Sequence, residues 1–152
     1  MRLASVTLAL LLLAAGCGGK KKSAHAKFVE SADAVCTSYG QALHQIPQPP
    51  DPTSAVQVAP YLQRFVPLLA RENAALRAIA PPSEDAAKVR RFLQAQDAQA
   101  FWAERARAAA ARENQARMRA SLSQWQLAVT AAAQVGNELG FKACTGTSSA
   151  TR

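Results

Sequence analysis

Histidine occurs only twice in these 152 residues, and that scarcity removes most metal chemistry. No Glu-x-x-His pair exists to build the di-iron centre of a helical bundle. There is no Cys-x-x-Cys-His to attach a haem and no second histidine near His44 to bind zinc. His25 falls in a tether before the first helix, and His44 reads as a surface residue near that helix's end. Nucleophile signatures are missing as well: past residue 16 there is no Gly-x-Ser-x-Gly and no Ser-x-x-Lys. Acids number 10 against 18 Lys and Arg, and Glu72, Glu84, Asp85, Asp97 and Glu104 fall on expected solvent faces rather than in facing pairs suited to acid–base work. The chain is therefore read as a non-enzyme, with no catalytic residue, no cofactor and no metal site.

Aromatic residues make up only 6% of the chain, alanine is abundant, and no repeat of 20 to 50 residues is visible. Such a composition, rich in helix formers, favours an all-α protein. Cysteine is also sparse, at three, and the position of the first is informative. Met1-Arg2 gives a positive start, Leu3 to Leu13 is mostly apolar, and Ala14-Ala15-Gly16 is small: the layout of a secretory signal. As a helix, Leu3 to Leu13 would rise about 16 Å, too short for a hydrocarbon core of about 30 Å. Leu13-Ala14-Ala15-Gly16-Cys17 resembles the bacterial lipobox, with Ala14 where leucine is most common. The resemblance implies cleavage before Cys17 and lipidation of its thiol, so that membrane lipid is the first partner. The alternative is an ordinary signal cut near Ala15 or Gly16 that leaves Cys17 free.

An odd cysteine in an exported chain needs an account. Lipidation of Cys17 leaves Cys36 and Cys144 as a pair in an oxidising compartment; two separate free thiols are the alternative. Lys20 to Lys22, beyond the flexible Gly18-Gly19, would lie beside anionic headgroups, each worth about 1 kcal/mol there. The organisation expected is a signal peptide at 1–16, a lipidated tether at 17–26, one helical domain at 27–144 and a disordered small-residue tail at 145–152.

Proline divides the domain. Phe28, Ala32, Val35, Tyr39, Leu43 and Ile46 recur at helical spacing until Pro47, Pro49 and Pro50 stop the run. Asp51-Pro52 reads as the N-cap and first position of a second helix carrying Leu62, Phe65, Val66, Leu69, Leu76 and Ile79. Pro60 and Pro67 lie inside it, Pro60 as a restart and Pro67 as a kink. After Pro81-Pro82, Ser83 caps a third helix whose dipole Glu84 and Asp85 complement. Its stripe is Val89, Phe92, Leu93, Ala100, Ala103 and Ala110. No proline follows up to Leu139, yet one helix over that span would be about 85 Å long, so a turn is placed at Arg112-Glu113-Asn114. The fourth helix carries Met118, Leu122, Trp125, Val129, Ala132, Val135 and Leu139. It ends at Gly140 in the left-handed position, with Phe141 folding back on Val135.

Four amphipathic helices with short connections predict an antiparallel up-down-up-down four-helix bundle. In that order the segment after Gly140 can fold over the bundle end to bring Cys144 to Cys36. The bridge would be worth roughly 4 to 5 kcal/mol by loop-entropy reasoning. The chain resembles small α-helical lipoproteins exported by high-GC Gram-positive bacteria. The resemblance rests on the lipobox, Ala32-Asp33-Ala34-Val35-Cys36, Pro81-Pro82, and Leu139-Gly140 four residues ahead of Cys144; such relatives often carry Gly-Asp where this chain has Glu113-Asn114. It implies fold, anchor and disulfide, and no reaction.

Two features suggest binding. Arg105, Arg107, Arg112, Arg117 and Arg119 crowd the turn between the third and fourth helices, where Glu113 is the only acid from 105 to 119. Arginine grips phosphate and carboxylate with a bidentate fork, so this tip is a candidate patch for an anionic envelope polymer or an acidic protein partner, the plainer reading being a solvated basic tip. The export signal disfavours nucleic acid as a partner, and none is expected. Trp102 and Trp125 are the candidate lining of a pocket for a hydrophobic ligand, against the plainer reading that they fill a core of alanines. The expected function is a membrane-anchored, extracytoplasmic, non-catalytic helical binding or structural module of the cell envelope. The alternative is a carrier or sensor of a small hydrophobic ligand between the helices.

Overall fold

The computed structural model describes residues 22–145. The expected signal peptide, Cys17, Lys20 and Lys21 lie outside them, as do residues 146–152 of the tail. The described chain forms four α-helices: α1 (Ala24–His44), α2 (Ala55–Arg77), α3 (Ala86–Ala110) and α4 (Gln115–Glu138), with a 3₁₀ turn at Ser83–Asp85 before α3. They run up, down, up and down as an antiparallel bundle, α1 packing on α2, α2 on α3 and α3 on α4.

Local chemistry sets each boundary. Ser23 Oγ accepts a hydrogen bond from the Ala26 amide at 3.1 Å, so α1 starts at Ala24, three residues earlier than the sequence reading. His25 thereby belongs to α1 rather than to a tether, its Nδ1 2.6 Å from Asp85 Oδ2. The second helix starts later than expected. Asp51 uses its carboxylate to accept from the Thr53 amide and hydroxyl, at 2.8 and 2.7 Å, closing a local turn and leaving Ser54 at the N-cap. Asp85, not Ser83, stands at the N-cap of α3, while the Ser83 hydroxyl donates to Glu84 at 3.3 Å.

Neither internal proline ends α2, which runs unbroken across Pro60 and Pro67. Both rings are exposed, seven residues apart on one face. The carbonyls that each proline leaves without an amide partner, on Val56 and Gln63, belong to exposed residues where water can serve them.

The turn at Arg112–Asn114 forms where expected. Asn114 caps α4 by accepting from the Arg117 amide at 3.0 Å, and Glu113 takes the left-handed conformation with φ 55°. At the other end Gly140 has φ 80°. Its amide donates to Asn137 O at 3.0 Å and that of Phe141 to Gly136 O at 2.9 Å, which is the Schellman termination. The Phe141 ring packs at 5.8 and 5.1 Å from the rings of Phe28 and Phe92, in a cluster that also holds Val135.

Two apolar clusters fill the bundle. One, near both ends of the described chain, gathers Phe28, Ala32, Cys36, Leu76, Val89, Phe92, Ala132, Leu139 and Phe141. The other, towards the α3–α4 turn, is built on Val58, Leu62, Phe65, Leu69, Ala106 and Met118. Many of the side chains that α3 and α4 bury are small: Ala103, Ala106, Ala109 and Ala110 on α3, and Ser121, Ala128, Ala132 and Gly136 on α4, Gly136 lying beside Phe92. Small residues let two helix backbones approach closely. Of the expected stripe on α4, Met118, Ala132 and Leu139 are buried and Leu122, Trp125, Val129 and Val135 half-buried, while Ser121, Ala128 and Gly136 join the buried face.

The backbones of α1 and α4 hardly approach each other. The bundle closes instead through the segment after α4. Cys36 and Cys144 form a disulfide with a Cα–Cα distance of 5.1 Å, inside the usual range for such a bond.

Candidate functional site

Between α3 and α4, near their connecting turn, lies a groove of about 620 Å³ lined by Trp102, Arg105 and Arg112 from the α3 side and by Arg117 and Gln124 from α4. Its floor is apolar, with Ala108, Ala109 and Ala120, and Asn114 and Ser121 add polar groups. Helical spacing builds it. Trp102, Arg105, Ala109 and Arg112 recur every three or four residues on α3, as Arg117, Ala120 and Gln124 do on α4. The groove lies in the half of the bundle far from Phe28 and Phe141, more than a dozen residues along α3.

Arg105 does not extend freely. Its guanidinium sits 5.6 Å from the Phe101 ring centroid and 5.8 Å from that of Trp102, and the two rings meet edge to face at 4.9 Å. Each such cation–ring contact is worth about 0.5–1 kcal/mol at an exposed site and fixes the fork beside the groove. Among the described residues Arg105, Arg112 and Arg117 form no ion pair. Phe101 is 55% exposed and Leu127 62% exposed. Leu127 continues the Ala120–Gln124 face at helical spacing, so apolar surface borders the basic groove.

The five arginines of the expected patch are thus divided. Arg107 is held by Glu104 through bonds of 2.8 and 2.6 Å; this pairing keeps the Glu104 carboxyl below its ordinary range and the Arg107 guanidinium above its own. Arg119 lies towards the loop between α1 and α2. There Asp51 is held below its ordinary value, first by hydrogen bonds from Thr53 and last by the charge of Arg119. Neither arginine lines the groove. The reason is angular: residues two apart on a helix point in opposed directions, so 105 and 107, or 117 and 119, cannot share one face.

The tryptophans are likewise separated. Trp102 opens onto the basic groove, whereas Trp125 packs edge to face on Phe65 at 5.7 Å, against the distal core. Its Nε1 is buried and has no hydrogen-bond partner among the described residues. Trp125 does not line the groove onto which Trp102 opens.

A polar layer that sequence reasoning missed lies between the two apolar clusters. Glu72 and Asn73 of α2 and Gln96 and Gln99 of α3 are all buried. Asn73 Nδ2 donates to the Gln96 carbonyl at 3.0 Å, but Asn73 Oδ1 and Gln96 Oε1 find no partner among the described residues. Burial pushes the Glu72 carboxyl from an ordinary 4.5 up to about 8. Tyr39 of α1 faces this layer, its phenol pushed well above the usual tyrosine range by burial and then by the charges of Glu72 and Tyr61. A signal was present: Phe92, Gln96, Gln99, Ala103 and Leu69, Glu72, Leu76 keep the core spacing, with polar residues in core positions.

Among the described residues no cluster of three His, Cys, Asp or Glu is placed to hold a metal, and no helix is long and apolar enough to cross a membrane. His44 is exposed. The chain matches no protein-family model, no curated protein and no solved structure.

Proposed function

We propose that this protein is a lipid-anchored, extracytoplasmic, non-catalytic binding module of the bacterial cell envelope, whose α3–α4 groove takes phosphate or carboxylate groups carried by another envelope component. The observation that carries the reading is the set of three arginines, Arg105, Arg112 and Arg117, that line one groove beside Trp102 without an acid to neutralise them. Guanidinium forks match the two oxygens of phosphate or carboxylate. Trp102 and the alanine floor offer apolar contact to whatever carries those groups. The expected anchor at Cys17 precedes α1, so the groove would face away from the bilayer, presented by helices about 35 Å long.

Binding is tested by titrating the protein with inorganic polyphosphate and with polyglutamate while following tryptophan fluorescence. Saturable quenching that weakens with salt supports the reading; an unaltered signal with both polyanions counts against it. The anchor is tested separately. Cys17→Ser should abolish a lipid-sized mass increment in the protein made by a lipoprotein-processing bacterium and shift it from the membrane to the soluble fraction.

A further inference from the structure

Among the described residues, one buried carboxylate has neither hydrogen bond nor ion pair, and it opens onto a second groove. Glu72, 8% exposed, lines a cleft of about 550 Å³ between α1 and α2 together with Ala34, Val35, Tyr39, Leu68 and Ala75. That volume falls in the range of about 300–1,000 Å³ common for small-molecule sites. The walls are apolar apart from Ser38 at the exposed rim, the Tyr39 phenol and Arg71. Arg71 is exposed and, as the residue next to Glu72, projects about 100° away around the helix; no ion pair joins the two. No other charged side chain from α1 or α2 lines the cleft.

We propose that this cleft is a binding site for an organic ammonium ligand with a small apolar body, Glu72 serving as its counter-ion and Tyr39 as an aromatic wall. A buried carboxylate without a partner is costly to ionise, and a cation brought to it removes that cost. An ammonium group beside an aromatic face gains cation–π attraction, more so where water is excluded. The alanine, valine and leucine side chains match an alkyl body. A metal ion fits less well: one carboxylate falls short of the six or more oxygens a calcium ion takes. The site shares no residue with the α3–α4 groove, so either can fail without the other.

Occupancy should follow the ionisation of Glu72, whose carboxyl burial pushes up to about 8. Facing it are the Tyr39 phenol, which stays neutral through this range, and the permanently charged Arg71 at the rim.

The test uses hexyltrimethylammonium, whose charge does not change with pH, titrated into the purified protein and followed by amide chemical shifts. Saturable shifts confined to residues 34–42 and 68–75 are expected, with affinity rising about tenfold from pH 7 to pH 9 as the ionised fraction grows. Glu72→Gln should weaken binding at pH 9 at least tenfold and abolish the pH dependence. Ser38→Trp, which fills the cleft from its rim and leaves the core untouched, should block binding with Glu72 intact. Equal binding by wild type and Glu72→Gln overturns the proposal, as does the absence of saturable shifts in the wild type at pH 9. Shifts that appear equally with 1-hexanol would overturn it too, since they would show an apolar cleft indifferent to charge.

Discussion

Asp33 holds the end of the chain against the first helix: its carboxylate accepts hydrogen bonds from the backbone amides of Lys142 and Ala143 at 2.9 and 2.8 Å. One turn further along α1, Cys36 is bonded to Cys144. The backbones of α1 and α4 hardly meet, so this clamp and this bond, with the packing of Phe28 on Phe141, join α1 to the chain's other end.

Removing the bond should therefore loosen α1 in particular. The cysteines are 108 positions apart, and the chain-entropy model values such a closure at roughly 4 to 5 kcal/mol. Urea unfolding of the double variant Cys36→Ser/Cys144→Ser should show a loss of that order, with hydrogen exchange fastest in α1. Asp33→Ala, which removes the hydrogen bonds of two amides to a carboxylate, should cost about 1–3 kcal/mol by itself. A double variant as stable as the wild type would refute the closing role.

Two left-handed residues predict opposite responses. Glu113 sits at φ 55°, a conformation that costs a residue with a Cβ roughly 1–2 kcal/mol. Glu113→Gly should raise stability by about 0.5–1 kcal/mol after glycine's greater unfolded-state entropy is counted. Gly140 is at φ 80° with open space where a Cβ would stand, so Gly140→Ala should destabilise by about 1 kcal/mol through conformation alone. Thermal melts of both variants read the two signs.

Glu72 makes stability depend on pH in an unusual direction. Its folded carboxyl titrates at about 8 against an ordinary 4.5, so between those values the native state holds a proton that the unfolded chain releases. Stability is then fullest below the unfolded value and falls as pH rises towards 8, with a slope of up to about 1.4 kcal/mol per unit. Urea midpoints from pH 5 to 9 should drop for the wild type and change far less for Glu72→Gln. A flat wild-type profile would contradict the burial of an unpartnered carboxyl.

Much of the fold was legible because its punctuation is local. Pro47, Pro49 and Pro50, Pro81-Pro82, the Arg112–Asn114 turn and the Gly140 stop each act through their own backbone chemistry. The unbroken α2 was not, since whether Pro60 and Pro67 interrupt a helix depends on which side faces water. Nor was the polar layer: Glu72, Asn73, Gln96 and Gln99 occupy core spacing, but only packing decides that a carboxylate or an amide is enclosed. In the candidate groove, Trp102 and Arg105 were separately conspicuous. Their union with Arg112 and Arg117, and the exclusion of Arg107 and Arg119, follow from helix rotation and from the Glu104 pairing.

The central claim is that three particular arginines, rather than a generally basic tip, hold the anionic partner. It is tested by comparing two charge reversals, Arg105→Glu/Arg112→Glu/Arg117→Glu and Arg107→Glu/Arg119→Glu, each titrated with polyphosphate after circular dichroism has verified the fold. The triple variant should lose at least tenfold in affinity and the double variant less than threefold. Equal losses in the two, or binding unchanged in the triple variant, would contradict it.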